Sequence, residues 1–212
     1  CKSLNSGDFK ILKYNDKKNV EIQFLKTGYE TVATLGNIRN GEVKDPYVSS
    51  VCGIGVLGAK YPSRVNGIQT KEYNLWQHML QRCYSDTFKK KNPTYEGCEA
   101  SENFKYYEYF YEWCHNQVGF GNPGWHLDKD LLFKGNKVYS ENTCVFLPAE
   151  INVALTNSRS VRGLYPAGVT FTNNRYVSRF GFGKLIGFIY NRRATNSSNY
   201  SALTKVLHYL NL

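Results

Sequence analysis

The spacing of apolar residues changes partway along the chain, and that change sets what its two halves can become. Up to about residue 66 they fall in short β-branched and aromatic runs: "FKILKY" (9–14), "NVEIQFL" (19–25) and "YETVATL" (29–35). The residues between them, "NDKK" and "KTG", are turn formers, so the runs read as strands joined by tight turns. Gly41, Gly53, Gly55 and Gly58 punctuate a loop-rich continuation. Residues 1–66 are expected to form a small β-rich module, a barrel or a curled sheet. From residue 67 the period lengthens. In "KEYNLWQHMLQRC", Tyr73, Trp76, Leu80 and Cys83 fall on one helix face. "SENFKYYEYFYEWCHN" repeats the pattern with Phe104, Tyr107, Tyr111 and Cys114, and Ser101 is placed as its N-cap. Helical periodicity assigns these aromatics to a core rather than to base stacking. His78 and His115 are expected to be structural. Strand runs followed by helical runs make the class α+β.

The chain of 212 residues, 42% hydrophobic, is long enough for a substantial core. No apolar run approaches the ~18 residues of a membrane span, so no membrane partner is expected and a cytoplasmic location is. The opening "CKSLNSGDF" has no signal-peptide core and no Met, so preceding residues are expected to have been removed. Cys1, Cys52, Cys83, Cys98, Cys114 and Cys144 include no C-x-x-C pair. Cys98, Cys114, His115 and Cys144 fit no common zinc spacing; zinc is not expected, and buried thiols are.

Charge is unevenly spread. The net charge is +10, from 27 Lys and Arg against 17 Asp and Glu. Residues 151–212 contain no acid, yet hold Arg159, Arg162, Arg175, Arg179, Lys184, Arg192, Arg193 and Lys205, leaving 19 of the 27 basic residues to balance all 17 acids. A basic, acid-free segment with aromatics between its arginines suits a polyanion, double-stranded DNA first, although RNA stays open. Within it "GVTFTNNRYVSRFGFGKLIGFI" reads as a three-stranded sheet with turns at 173–174 and 183–184, and "SSNYSALTKVLHYLNL" as a helix. Residues 159–212 are expected to be a basic DNA-binding sheet plus helix. A weaker basic signal is the run Lys89, Lys90, Lys91 before Asn92-Pro93, expected as a loop able to touch phosphate.

The densest polar pattern is "WHLDKDLLFKGNKVYSENTCVFLP", residues 125–148. As a hairpin it has a first strand over 125–131 and a second over 139–146. Alternation puts His126, Asp128 and Asp130 on one face and Lys129 on the other. The helix "AEINVALTNS" then carries Asn152. Carboxylate and amide groups converging from two strands and a helix suit one hard cation, Mg²⁺, which keeps most of its own waters. The alternative is a structural hairpin whose aspartates bond backbone amides or pair with arginine.

Together "YNLWQHMLQRCYS" (73–85), "YEGCEASENFKYYEYFYEW" (95–113), "LDKDLLFKGNKVYSENTCVFLPAEIN" (127–152) and the strand-rich run from Gly168 resemble phage HNH-type, homing-endonuclease-like proteins. Such proteins join a ββα-metal hairpin to a DNA-binding sheet similar to the plant ethylene-response-factor domain. The resemblance runs from Tyr73 to Phe188, about two thirds of the chain. It implies an HNH-like hairpin within a helical block at 67–158, Mg²⁺-dependent nicking or cleavage of DNA, and metal ligation by Asp128 with Asp130, Asn142 and Asn152 nearby. It implies DNA contact by Arg159, Arg162, Arg175, Arg179, Lys184, Arg192 and Arg193. The family's Asp-His pair is here Asp128-Lys129. A lysine with an ordinary pKa of about 10.4 is a poor base at neutral pH, and His126 is its only nearby substitute. The catalytic pair would be His126 and Lys129, in a degenerate centre. The competing readings are a DNA-binding protein without cleavage and a host-takeover factor that binds a host protein.

Overall fold

The computed structural model describes residues 1–133, 135–149 and 152, and the backbone of strands between residues 169 and 187. It has the expected mixture of helices and strands, gathered in several small sheets. Strands β1 (Lys2–Ser3), β2 (Gly7–Tyr14), β3 (Val20–Phe24) and β4 (Glu30–Ala33) form an antiparallel sheet in sequential order. Along β3, Val20, Ile22 and Phe24 are buried while Glu21 and Gln23 are not, the signature of a strand with one face on a core. Phe9, Ala33, Ile38 and Val43 complete that core. The third strand stops at Ala33, two residues short of the end of its sequence run. Thr34 accepts from the backbone N–H of Asn37 at 3.2 Å and so caps a short helix, α1 (Leu35–Arg39).

A two-residue hairpin of β5 (Arg64–Val65) and β6 (Ile68–Gln69) leads into α2 (Lys71–Tyr84), capped by Thr70. Trp76, Met79, Leu80 and Cys83 form its buried face, and the Trp76 indole donates to the Phe104 carbonyl at 2.8 Å. Gly55 lies so close to this face that a Cβ there would overlap Leu80 and Trp76. The lysine run expected as a loop is helical: Ser85 caps α3 (Asp86–Lys91), which ends at Asn92. A 3-10 turn at Pro93–Tyr95 and strand β7 (Glu99–Ala100) come next.

The second long helix starts later than the sequence suggests. Ser101 Oγ accepts from the Phe104 N–H at 3.4 Å, ahead of a 3-10 turn, Asn103–Lys105, whose N-cap position is Glu102. The α-helix is α4 (Tyr107–His115). Between them the backbone is drawn into a bridge with Val56, whose N–H donates to Lys105 O while Tyr107 N–H donates to Val56 O, both at 2.9 Å. Those bonds occupy groups that an uninterrupted helix would need. Phe104, Tyr107 and Cys114 of the expected face are buried, Tyr111 is only half-buried, and Phe110 and Trp113 join the core instead.

Strands β8 (Trp125–Asp128), β9 (Val138–Tyr139) and β10 (Val145–Pro148) correct the expected hairpin. β8 pairs antiparallel with β10, whereas β9 pairs in parallel with β7. Chain contacts divide the protein into two units, Cys1–Cys114 with Lys137–Glu141, and His115–Asn136 with Asn142–Leu212. In the second unit, Gly119 sits at φ +86°, with Trp125 packed where its side chain would be.

The basic segment contains two antiparallel hairpins, β11 (Val169–Thr172) with β12 (Arg175–Ser178), and β13 (Phe180–Phe182) with β14 (Leu185–Gly187). Each leaves two residues between its strands, 173–174 and 183–184, at the expected turn positions. Among the described residues these four short strands lie where three were expected, with β12 and β13 both within the span of the expected middle strand. The expected C-terminal helix, and Arg159, Arg162, Arg179, Lys184, Arg192 and Arg193, lie outside the described residues. All six cysteines are thiols; Cys83, Cys98, Cys114 and Cys144 are buried, and Cys1 and Cys52 are exposed. Among the described residues no helix is long and apolar enough to cross a membrane.

Candidate metal and nucleic-acid site

The hairpin is anchored by apolar burial. Val145, Phe146 and Leu147 are all buried, as is Leu127 opposite Phe146, and Phe120 packs on Phe146 with ring centroids 5.4 Å apart. Three consecutive buried residues mean that both faces of β10 are covered. On β8, register places His126 opposite Leu147 and Asp128 opposite Val145. His126 is exposed, Asp128 half-buried, and Ala149 and Asn152 beyond β10 are helical.

Asp128 ends β8 and starts the loop. Its Oδ1 accepts from the backbone N–H groups of Asp130 at 2.8 Å and Leu131 at 2.7 Å. This is turn chemistry, an aspartate satisfying amides that have left the ladder. Its Oδ2 makes no hydrogen bond with a described residue. Burial pushes the carboxyl above its ordinary range and Asp130 adds to this, against the lowering by the two amides and the Lys129 ammonium.

Lys129 behaves as a structural clasp. Its side chain is only 8% exposed, and its ammonium donates to Asp130 Oδ2 at 2.8 Å and to the Asn136 carbonyl at 2.6 Å. Asn136 returns the bond, its side-chain amide donating to the Lys129 carbonyl at 2.9 Å. This reciprocal pair closes the loop from 129 to 136. Sequence reasoning misses Asn136, which reads there as half of a Gly-Asn turn; nothing local marks the side chain that will meet it. A lysine whose protons point at a carboxylate and a carbonyl is placed to donate hydrogen bonds rather than to take a proton from water.

The other expected ligands are scattered in character. Asp130 is an exposed carboxylate engaged by Lys129, not a strand residue beside Asp128. Asn142 is exposed in a turn, and Asn152 is a half-buried helical residue. Among the described residues no group of three or more His, Cys, Asp or Glu is arranged to hold a metal. What Asp128 offers a hard cation is its Oδ2.

In the basic segment, register sets Arg175 opposite Thr172 and Val177 opposite Thr170, with Tyr176 opposite Phe171 on the alternate positions. No family model matches the chain, and no curated protein or solved structure matches it either.

Proposed function

We propose that the chain binds double-stranded DNA through residues 151–212, on an HNH-type scaffold whose catalytic centre is degenerate. The observation that carries this reading is the absence of any acid from that basic segment, which also contains the paired strands β11–β14. Its positive charges have no acid within the segment to neutralise them, and a phosphate backbone answers them by releasing its counterions. Arginine adds bidentate contact to guanine or phosphate. Arg175 and Arg179 are assigned to base edges, and Arg159 and Arg162 to the backbone that sets register.

A salt titration tests this. Replacing Arg175 and Arg179 by Ala should weaken specific binding by about 1–3 kcal/mol per lost base contact. Replacing Arg159 and Arg162 should weaken all sequences alike and flatten the salt dependence. A folded variant lacking all four arginines that binds duplex DNA as tightly as the parent at ~150 mM salt sinks the reading. Tight capture of a host protein with no DNA affinity would favour the host-takeover alternative.

The second reading, Mg²⁺-dependent nicking, is favoured by Asp128 Oδ2, an oxygen of a half-buried carboxylate with no hydrogen bond to a described residue. Asp128 holds the ion, exposed His126 stands in for the missing base, and Lys129 keeps the loop closed. Cleavage is therefore slow. Supercoiled plasmid should be nicked with Mg²⁺ and not with EDTA, and Asp128→Ala should abolish nicking. Mg²⁺ should also raise the melting temperature of the parent but not of Asp128→Asn. Equal nicking by parent and Asp128→Ala removes Asp128 from the chemistry.

A further inference from the structure

Three lysines close the last turn of α3, and a fourth reaches the same place from far along the chain. Lys90 and Lys91 are exposed and Lys89 is half-buried. The parallel pairing of β9 with β7 carries Lys137 to the 3-10 turn that succeeds α3, where its ammonium donates to the Thr94 carbonyl at 2.8 Å. The platform beneath is braced. Phe88 meets the Tyr95 ring edge-on at 5.7 Å, and the Arg82 guanidinium from α2 lies over that ring, 5.6 Å from its centroid. Arg82 also bonds the buried Tyr139 hydroxyl, fixing the turn against β9.

The lysines are not neutralised where they stand. Elsewhere, Lys60 pairs with Glu112, Lys105 with Glu102 and Lys129 with Asp130. The side chains of Lys89, Lys90 and Lys91 make no ion pair or hydrogen bond with a described residue, although Asp86 lies one turn earlier. A helix C-terminus carries only about −0.5 charge to set against them. Crowding like charges on a rigid turn is unfavourable unless a polyanion is to be met there.

We propose that Lys89, Lys90, Lys91 and Lys137 form a second DNA contact, to the phosphate backbone of a duplex, separate from residues 151–212 and indifferent to sequence. The proposal rests on the reading of the chain as a DNA-binding protein. Lysine suits the role: each ammonium is a mobile point charge that satisfies phosphate without demanding the planar geometry of a base edge.

The test uses the full chain with Lys89, Lys90 and Lys91 replaced by Ala, and separately Lys137→Ala. Alanine favours helix at the α3 positions, and circular dichroism checks that the fold is kept. The triple variant should lose the same factor of affinity on every duplex sequence, and its log-log salt slope should fall by about 0.9 for each phosphate contact removed. Lys137→Ala should show the same effect at about a third of the size. Suppose the four-arginine variant loses affinity while the triple lysine variant matches the parent in affinity and slope. Then this surface falls and the function of the basic segment stands. If the parent shows no salt-dependent affinity for duplex DNA, both fall together. Loss confined to single-stranded RNA, with duplex binding untouched, also overturns the proposal.

Discussion

Asp16 and Asp128 perform the same local act in different surroundings. Asp16 Oδ1 accepts from the backbone N–H groups of Lys18 at 2.6 Å and Asn19 at 3.0 Å, two and three residues ahead. Asp128 Oδ1 accepts from Asp130 and Leu131 at the same offsets. The turn between β2 and β3 is exposed, and Asn19 takes the other oxygen of Asp16 at 2.9 Å. The loop after β8 is partly enclosed and leaves Asp128 Oδ2 without a hydrogen bond to a described residue. Their acidities diverge accordingly. Hydrogen bonds from Asn19 and then Lys18 hold Asp16 below the usual carboxylate range, whereas burial lifts Asp128 above it. Amide contacts therefore do not mark a metal ligand. The half-buried oxygen left over from turn chemistry is what distinguishes Asp128.

The same contrast divides the two strand systems. The N-terminal sheet turns its polar side chains to water; the β8–β10 hairpin turns Asp128 and Lys129 back onto its own loop. The largest effect should fall on what the systems share, an apolar anchor. Phe24→Ala and Phe146→Ala should each cost about 3–5 kcal/mol in denaturant melts, since both rings are fully enclosed. A cost well under that range at Phe146 would show that the hairpin is not packed as described.

A pair of lysines gives the next test. Lys129→Ala should cost about 1–3 kcal/mol by leaving the Asn136 carbonyl without its donor. Lys13→Ala, on the exposed side of β2, should stay within about 0.5 kcal/mol of the parent. Equal effects from the two substitutions would abolish the distinction between a lysine used as a clasp and one used for solvation.

The smallest effects are in pH dependence, and they should have opposite signs. A depressed carboxyl stabilises the fold above its unfolded pKa, about 3.9, and that stability is lost as pH falls through the folded value. Asp16→Asn should therefore reduce the loss of stability on acidification. A raised carboxyl acts in reverse, its ionisation opposing the fold as pH climbs from about 3.9 through the elevated value. In metal-free buffer, Asp128→Asn should gain on the parent over that rise. Parallel melting-temperature profiles for the two variants would contradict the assigned burial of Asp128.

Much of the fold is legible wherever the determinants are local. The turns "NDKK" and "KTG", the alternation in β3 and the helical face of α2 each declare themselves within about ten residues. Helix period places Trp76, Leu80 and Cys83 in the core, while Tyr73 on the same expected face is only half-buried. The later start of α4 is hidden because the bridge comes from Val56, some fifty residues upstream. The hairpin register is hidden for a similar reason. Tyr139 looks like the start of β10's strand, but Ala100 captures it in a parallel pair. At the candidate site the sequence singles out Asp128 and casts doubt on Lys129 as a base. It could not show that Lys129 is buried, because that depends on the reciprocal bonds with Asn136.

One topological fact has an experimental cost. The first unit takes Lys137–Glu141 from beyond its main span, and the chain then leaves it again. Ending the polypeptide at residue 114 would strip β9 from β7 and remove Glu141, which accepts from Ser101 at 3.0 Å and Asn103 at 2.6 Å. A protease cutting between 115 and 136 would sever the connection while five residues remained threaded in the sheet, so the fragments should co-migrate until denatured. Modularity here is spatial and not serial: neither unit can be excised, swapped or fused elsewhere by a single cut.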